Sequence, residues 1–151
     1  MLERINKFHI VLIKPSKYDD DGYVVRFWKG VLPSNTLNVL HGLTEDIRQR
    51  RVFGELPIEV TTFDETAEKI PLAKIVRWSK TPGVKLLACL VGVQTNQFPR
   101  ALDMARFFKR HGLSVIVGGF HTSGTINMLG DQEPDIQQLY REEICMVSGE
   151  V

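Results

Sequence analysis

Cysteine and histidine are scarce in this sequence, and neither sign of charge is in excess. Its 151 residues include two cysteines, four histidines, and 19 basic against 18 acidic side chains, for a net charge of +1. A surface that binds nucleic acid or an anionic membrane is usually basic, so the charge balance predicts neither partner. The histidines and cysteines are dispersed without metal-ligand spacing, and we assign no metal ligand.

Long apolar runs are also missing. No run approaches the roughly 20 residues of a membrane-spanning helix, and charged residues interrupt the opening MLERINKFHIVLIKP where a signal peptide would be apolar. Cys89 and Cys145 lie within short apolar runs, where a reduced, buried thiol is commoner than a disulfide. We therefore expect a reducing, cytoplasmic setting and no membrane partner.

Several enzyme motifs are absent at the positions where they would be needed. The residues Lys14–Lys17 replace a G-x-G-x-x-G motif after the first predicted strand, and there is no Walker motif. Gly92–Gln94 stand where a response-regulator receiver carries its aspartate. Ser16, Asp64 and His121 have no sequence relation that would fix a catalytic triad. We assign no catalytic residue.

Apolar runs alternate with segments of helical periodicity, which is typical of βαβ units around a parallel sheet. The predicted strands are Phe8–Lys14, Ile58–Asp64, Leu86–Val93, Leu113–Gly119 and Ile144–Val147. We predict one domain over residues 1–151, an α/β flavodoxin-like, doubly wound three-layer sandwich with a parallel five-stranded sheet of order 2-1-3-4-5. The third and fourth strands are nearly all apolar and should be central, whereas the second should be an edge strand.

Four helices are predicted between the strands. The first is capped by Ser34 and runs to about Arg50 with a buried stripe at Leu37, Leu40, Leu43 and Ile47. The others cover Pro71–Ser79, the segment from Pro99 to His111, and Pro134–Glu143.

Three segments follow strands at the edge of the sheet where such folds bind ligands. The link 15–33 is long for a βα loop and could be functional, or it could be a surface excursion pinned by its aromatic residues Tyr18, Tyr23, Phe27 and Trp28. Gln94, Thr95 and Asn96 offer side-chain donors beside a helix start, which suits a phosphate or an amide-rich ligand. Alternatively, Thr95 or Asn96 simply caps that helix.

The third segment is Gly118–Gly124. Its first two residues are glycines, which would let a ligand or another segment approach the backbone closely. The hydroxyls of Thr122 and Ser123 would offer polar contacts at the rim of such a site. The alternative is a glycine-rich turn whose His121 caps or packs.

The runs LVGVQTNQFPRALDMARFFKRHG and VIVGGFHTSG resemble the cobalamin-binding domains that precede the catalytic barrel in B12-dependent radical SAM proteins. The resemblance spans most of the chain, from HIVLIKPSKYDDDG to the final SGEV, and VGGFHTSG is its most specific element. It implies a corrinoid across the C-terminal edge of the sheet, with its nucleotide tail beside the fourth strand. The cofactor-binding positions that it implies are Gln94, Thr95, Asn96, Gly118, Gly119, Phe120, His121, Thr122 and Ser123.

Two features depart from related families. The D-x-H-x-x-G motif of methionine-synthase-like domains is missing, because Lys14–Asp19 stand in its place. The resemblance thus implies cobalamin bound without that cobalt-ligating histidine. The C-x-x-x-C-x-x-C motif is missing too, so SAM and a 4Fe-4S cluster would belong to a downstream radical SAM domain as the partner of this one. We expect the chain to be the N-terminal part of a longer methyltransferase or radical-rearrangement enzyme, and not catalytic alone.

Two alternatives remain open from the sequence. The domain could be a flavodoxin-like interaction domain without cofactor, docking through Phe27 and Trp28 of the 15–33 link. It could also be an enzyme domain that binds a small phosphorylated ligand at Thr95 and the Gly118–Gly119 loop.

Overall fold

A single five-stranded parallel sheet forms the centre of the molecule. The computed structural model describes residues 4–27 and 33–149. The strands are β1 (Lys7–Lys14), β2 (Ile58–Asp64), β3 (Val84–Leu90), β4 (Ser114–Gly118) and β5 (Cys145–Val147). They lie in the order β2-β1-β3-β4-β5, and every pairing is parallel. The predicted fold and strand order are confirmed.

Helices cover both faces of this sheet. They are α1 (Asn35–Gln49), α2 (Leu72–Ser79), α3 (Phe98–Arg110), α4 (Phe120–Leu129) and α5 (Pro134–Arg141), with a 3-10 turn at Thr95–Gln97 in front of α3. The larger apolar cluster contains residues from α2, α3 and α5, such as Ile75, Phe108 and Leu139. On the opposite face, Leu37 of α1 packs with Leu12, Cys89 and Val91. None of the described helices has the length and apolar character needed to cross a bilayer.

The predicted start of α1 is confirmed, but of its predicted stripe only Leu37 is buried, Leu40 and Ile47 are half-buried, and Leu43 is exposed. Ser34 Oγ accepts a hydrogen bond from the Leu37 N–H at 3.3 Å, as an N-cap should. Leu43 is 44% exposed, whereas Thr44 beside it is buried. Thr44 can be buried because its hydroxyl donates to the Leu40 carbonyl, which removes the cost of an unpaired polar group.

Helix α4 is absent from the sequence prediction, which treated the residues after β4 as a ligand-contacting loop or, alternatively, a glycine-rich turn. Gly119 has φ +139°, the chain becomes helical at Phe120, and Gly130 with φ +84° ends the helix. The segment FHTSGTINML contains no charged residue and no apolar stripe. Periodicity, the main sequence signal for a surface helix, therefore could not identify it.

The two thiols lie in different environments. Cys89 is buried, and burial raises its pKa to about 12. Cys145 is exposed, contrary to the predicted burial. Its register with Ile116 and Cys89 puts it on the face that α1 covers, but α1 lies mainly over β1 and β2, and Cys145 lies on the opposite edge strand.

We expect one fast-reacting thiol in the native protein. At neutral pH a thiol reagent should label Cys145 within minutes and leave Cys89 unmodified, because only an accessible thiolate reacts. Cys145→Ser should show no fast labelling until denaturant exposes Cys89. Fast labelling of native Cys145→Ser would contradict the burial of Cys89.

Candidate functional site

The loops that follow β3 and β4 meet at the C-terminal edge of the sheet. Leu90 and Val117 are register partners at the ends of these strands. Beyond them, the Val93 N–H donates to the Gly118 carbonyl at 3.1 Å, and the His121 N–H donates to the Val93 carbonyl at 2.9 Å. The structure therefore brings together the two segments that carry the predicted site residues.

Gly119 is required by contacts within the chain. A Cβ built there would lie 2.2 Å from the Val93 nitrogen and 2.8 Å from the Gly92 carbonyl carbon, and its φ of +139° disfavours any side chain. At Gly118 the nearest atom to an added Cβ is Val147 Cβ at 3.4 Å, an ordinary contact. Close packing of the two loops explains Gly119 without a ligand.

His121 links three elements of the edge. Its ring is 7% exposed and lies 4.4 Å, centroid to centroid, from the ring of Phe98. Nδ1 is 3.3 Å from Thr95 Oγ1, and Nε2 is 3.0 Å from Asp135 Oδ2. Sequence reasoning missed Asp135, since it lies on α5, well beyond the loop in the chain.

The hydroxyls of Thr122 and Ser123 face the protein rather than a ligand. Thr122 is fully buried, and its Oγ1 donates to the carbonyls of Gly119 at 3.1 Å and Val147 at 3.4 Å. The prediction of a rim contact is wrong for Thr122, because the turn into α4 points it back toward β5. Ser123 Oγ accepts from the Gly149 N–H at 3.1 Å.

The loop after β3 presents three exposed side chains: Gln94, Thr95 and Asn96. The Gln94 N–H donates to Gln97 Oε1 at 3.0 Å, closing the start of the 3-10 turn. Helix α3 begins after Gln97 with no side-chain cap, so the expected capping by Thr95 or Asn96 is wrong. The inserted 3-10 turn moves both residues out of reach of that helix start.

A small cavity of about 160 Å³ lies between this loop and α4. We call it the α4 recess; His121 forms its wall, and its other lining residues are Thr95, Phe120, Gly124, Thr125, Met128 and Leu129. Phe120, Met128 and Leu129 are 71%, 80% and 68% exposed. An added Cβ on Gly124 would meet only the Phe120 ring, at 3.8 Å, so the missing side chain leaves open space.

The other half of the edge is closed by a buried ion pair that sequence reasoning also missed. Glu65, directly after β2, is fully buried. Arg100 of α3 donates to it through Nη2 at 2.6 Å and through Nε at 3.1 Å, and the Ser16 N–H donates to it at 3.2 Å. Burial lowers the pKa of Arg100, but the hydrogen bonds to Glu65 and Tyr18 outweigh it and raise the pKa overall.

This cluster also holds the described part of the 15–33 link. The Tyr18 hydroxyl donates to Asp103 at 2.6 Å, and Tyr18 pairs with Val24 in a short antiparallel bridge. Of the aromatic residues considered as anchors of the link, Tyr18 does pin it, whereas Tyr23 and Phe27 are 73% and 56% exposed. Trp28 lies outside the described residues.

The described parts of the chain contain no candidate metal centre and no unpaired buried polar side chain. Within residues 4–27 and 33–149, no group of three His, Cys, Asp or Glu side chains could hold a metal ion. Every buried side-chain N or O atom in these ranges has a hydrogen-bond partner. Comparison with protein-family models, curated proteins and solved structures identified no match.

The contact between Gly119 and Val93 makes a matched pair of substitutions informative. Gly119→Ala should lower the free energy of unfolding by about 3 kcal/mol or more, because the methyl group meets backbone atoms at a strained φ. Gly118→Ala should cost less than about 1 kcal/mol. Denaturant unfolding measures both, and equal losses would contradict the packing described for Gly119.

Removing the buried charge should be costly. Glu65→Gln leaves Arg100 without its counter-charge and should lower the free energy of unfolding by about 3 to 5 kcal/mol. The control is Glu142→Gln, because the Glu142–Arg106 pair is partly exposed and should contribute no more than about 1 kcal/mol. Similar unfolding midpoints for the two variants would show that the Glu65 cluster is not a stabilising feature.

Proposed function

We propose that the domain binds cobalamin at the C-terminal edge of the sheet, over the α4 recess. The observation that carries the proposal is an uncharged, largely apolar surface at the edge where open parallel sheets bind ligands. Three large apolar side chains of α4, Phe120, Met128 and Leu129, are exposed together there. Contiguous exposed apolar surface of this kind usually marks a binding site.

The residues of the recess fit a flat ligand with apolar faces and amide side chains. Gly124 leaves a gap that a Cβ would fill, between Phe120 and Met128. Thr95 and Thr125 also line the recess, and a threonine hydroxyl can hydrogen-bond to an amide. Phe120 and Met128 would hold the corrin by apolar contact, and Thr95 would orient one of its amides.

Cobalamin supplies a cobalt centre for methyl-transfer or radical chemistry, and the residues of this chain would bind and orient it. Both ring nitrogens of His121 are already engaged, by Thr95 and Asp135. This arrangement supports a binding mode in which His121 positions side chains and does not ligate cobalt.

The resemblance to the B12-binding domains of radical SAM proteins supports a wider proposal. The domain would be the cofactor-binding module of a longer enzyme, of methyltransferase or radical-rearrangement type. A downstream domain would hold SAM and the 4Fe-4S cluster. Two free cysteines support a reducing, cytoplasmic setting.

An interaction domain without cofactor is the second candidate. The same exposed residues of α4 could contact a protein partner, as could Tyr23 and Phe27 of the link. A phosphorylated ligand has less support, because no lysine or arginine is among the residues that line the α4 recess in the described chain. In addition, the His121 N–H beside the glycine pair already donates to the Val93 carbonyl, so it is not free to bind a phosphate.

Pigment retention tests the proposal. Purified protein mixed with hydroxocobalamin should keep the colour through gel filtration and shift its visible spectrum. Gly124→Leu, which fills the recess, should weaken retention at least about tenfold by steric exclusion. Colourless, folded wild-type protein after gel filtration would overturn cobalamin binding and favour the second candidate.

The matched control is Gly42→Leu. Gly42 is also a helical glycine, and an added Cβ there would meet nothing within 4 Å, but it lies in α1, away from the recess. It should retain cobalamin like the wild type. Equal loss of pigment in both leucine variants would locate binding elsewhere.

A further inference from the structure

The two ring nitrogens of His121 contact side chains of opposite hydrogen-bonding character. Asp135 on α5 offers a carboxylate, which only accepts hydrogen bonds when ionised, at 3.0 Å from Nε2. Thr95 offers a hydroxyl, which both donates and accepts, at 3.3 Å from Nδ1. Asp135, His121 and Thr95 therefore form a hydrogen-bonded chain. The partner of Nε2 determines whether the Thr95 hydroxyl donates to Nδ1 or accepts from it.

The carboxylate determines which nitrogen of the neutral imidazole carries the proton. Asp135 can accept only from an N–H, so Nε2 is protonated and Nδ1 retains its lone pair. Thr95 must then donate its hydroxyl proton to Nδ1. The remaining lone pairs of Thr95 Oγ1 are left as acceptors beside the α4 recess, which Thr95 lines.

The surroundings hold this arrangement in place. The ring of His121 is 7% exposed and packs on Phe98, and its backbone N–H donates to the Val93 carbonyl. Thr95 is the first residue of the 3-10 turn, and the hydrogen bond from the Gln94 N–H to Gln97 Oε1 stabilises the start of that turn. Neither group needs to reorganise to reach the other.

We propose that Asp135 acts through His121 to make Thr95 a hydrogen-bond acceptor, so that the site selects a corrinoid with a neutral amide at this position over one with a carboxylate. An amide N–H can donate to Thr95 Oγ1, whereas a carboxylate would place its lone pairs against those of the hydroxyl. This inference rests on the proposed cobalamin site. It makes Asp135 and His121 positioning residues that control selectivity.

The tautomer of His121 can be measured without any ligand. Nitrogen-15 NMR at pH 8.5, with the signal assigned by its loss in His121→Gln, should show a protonated Nε2 and an unprotonated Nδ1. Asp135→Ala should shift the population toward the other tautomer, because the acceptor is gone. Asp131→Ala removes a nearby exposed carboxylate with no contact to His121 and should leave the signal unchanged.

Binding selectivity is measured with cobalamin and its derivatives in which a single peripheral amide is hydrolysed to the acid. At least one derivative should bind wild-type protein roughly tenfold more weakly than cobalamin does. The difference should persist in Thr95→Ser and Asp131→Ala, which keep the acceptor. It should fall to about twofold in Thr95→Val and shrink in Asp135→Ala.

The possible failures are distinguishable. Retention of cobalamin with equal affinity for every monoacid, or an Nδ1-protonated ring in the wild type, would overturn the selectivity inference and leave the proposed function intact. If the protein retained no corrinoid at all, both the proposed function and the proposed contact between Thr95 and a corrinoid amide would be wrong.

Discussion

The close approach of Gly119 to the backbone of Val93 determines the geometry of the whole C-terminal edge. Two backbone hydrogen bonds, Val93 to Gly118 and His121 to Val93, join the loops around this contact. Because Gly119 has no Cβ, its backbone can lie against Val93 and the chain can turn from β4 directly into α4. That turn puts Phe120 at the surface, His121 against Phe98 and Thr122 in the interior. The recess exists because α4 begins at this point and in this direction.

The two halves of the edge differ in how their polar groups are satisfied. On the β1–β2 side, Glu65 is fully buried and paired with Arg100 and the Ser16 N–H, and the link 15–27 folds over it. Burial of such a charge is tolerated only with partners of this quality. On the β3–β4 side the α4 recess is open and no Asp, Glu, Lys or Arg lines it, and apolar side chains of α4 are exposed. The open half is therefore where a ligand with apolar faces can gain contact area.

The sequence predicted where the candidate site lies better than it predicted which contacts each of its residues makes. Ligands gather at the carboxyl ends of parallel strands, so the loops after two adjacent central strands were expected to meet, and Thr95 and His121 do contact each other. Thr122 and Ser123 are used by the protein itself, in contacts with β5 and with Gly149. Asp135 completes the His121 chain from α5, a relation between distant segments that no local pattern reveals.

From the sequence alone we predicted the fold class, the five parallel strands with their order, and four of the helices. The individual strands and helices follow from apolar periodicity and helix caps. These signals involve only a few neighbouring residues, so they can be recognised in the sequence. Three features became visible only in the folded chain: α4 is a helix, Cys145 and Leu43 are exposed, and Glu65 pairs with Arg100. Each of these depends on contacts between segments far apart in the chain, where steric fit and burial prevail over local preference.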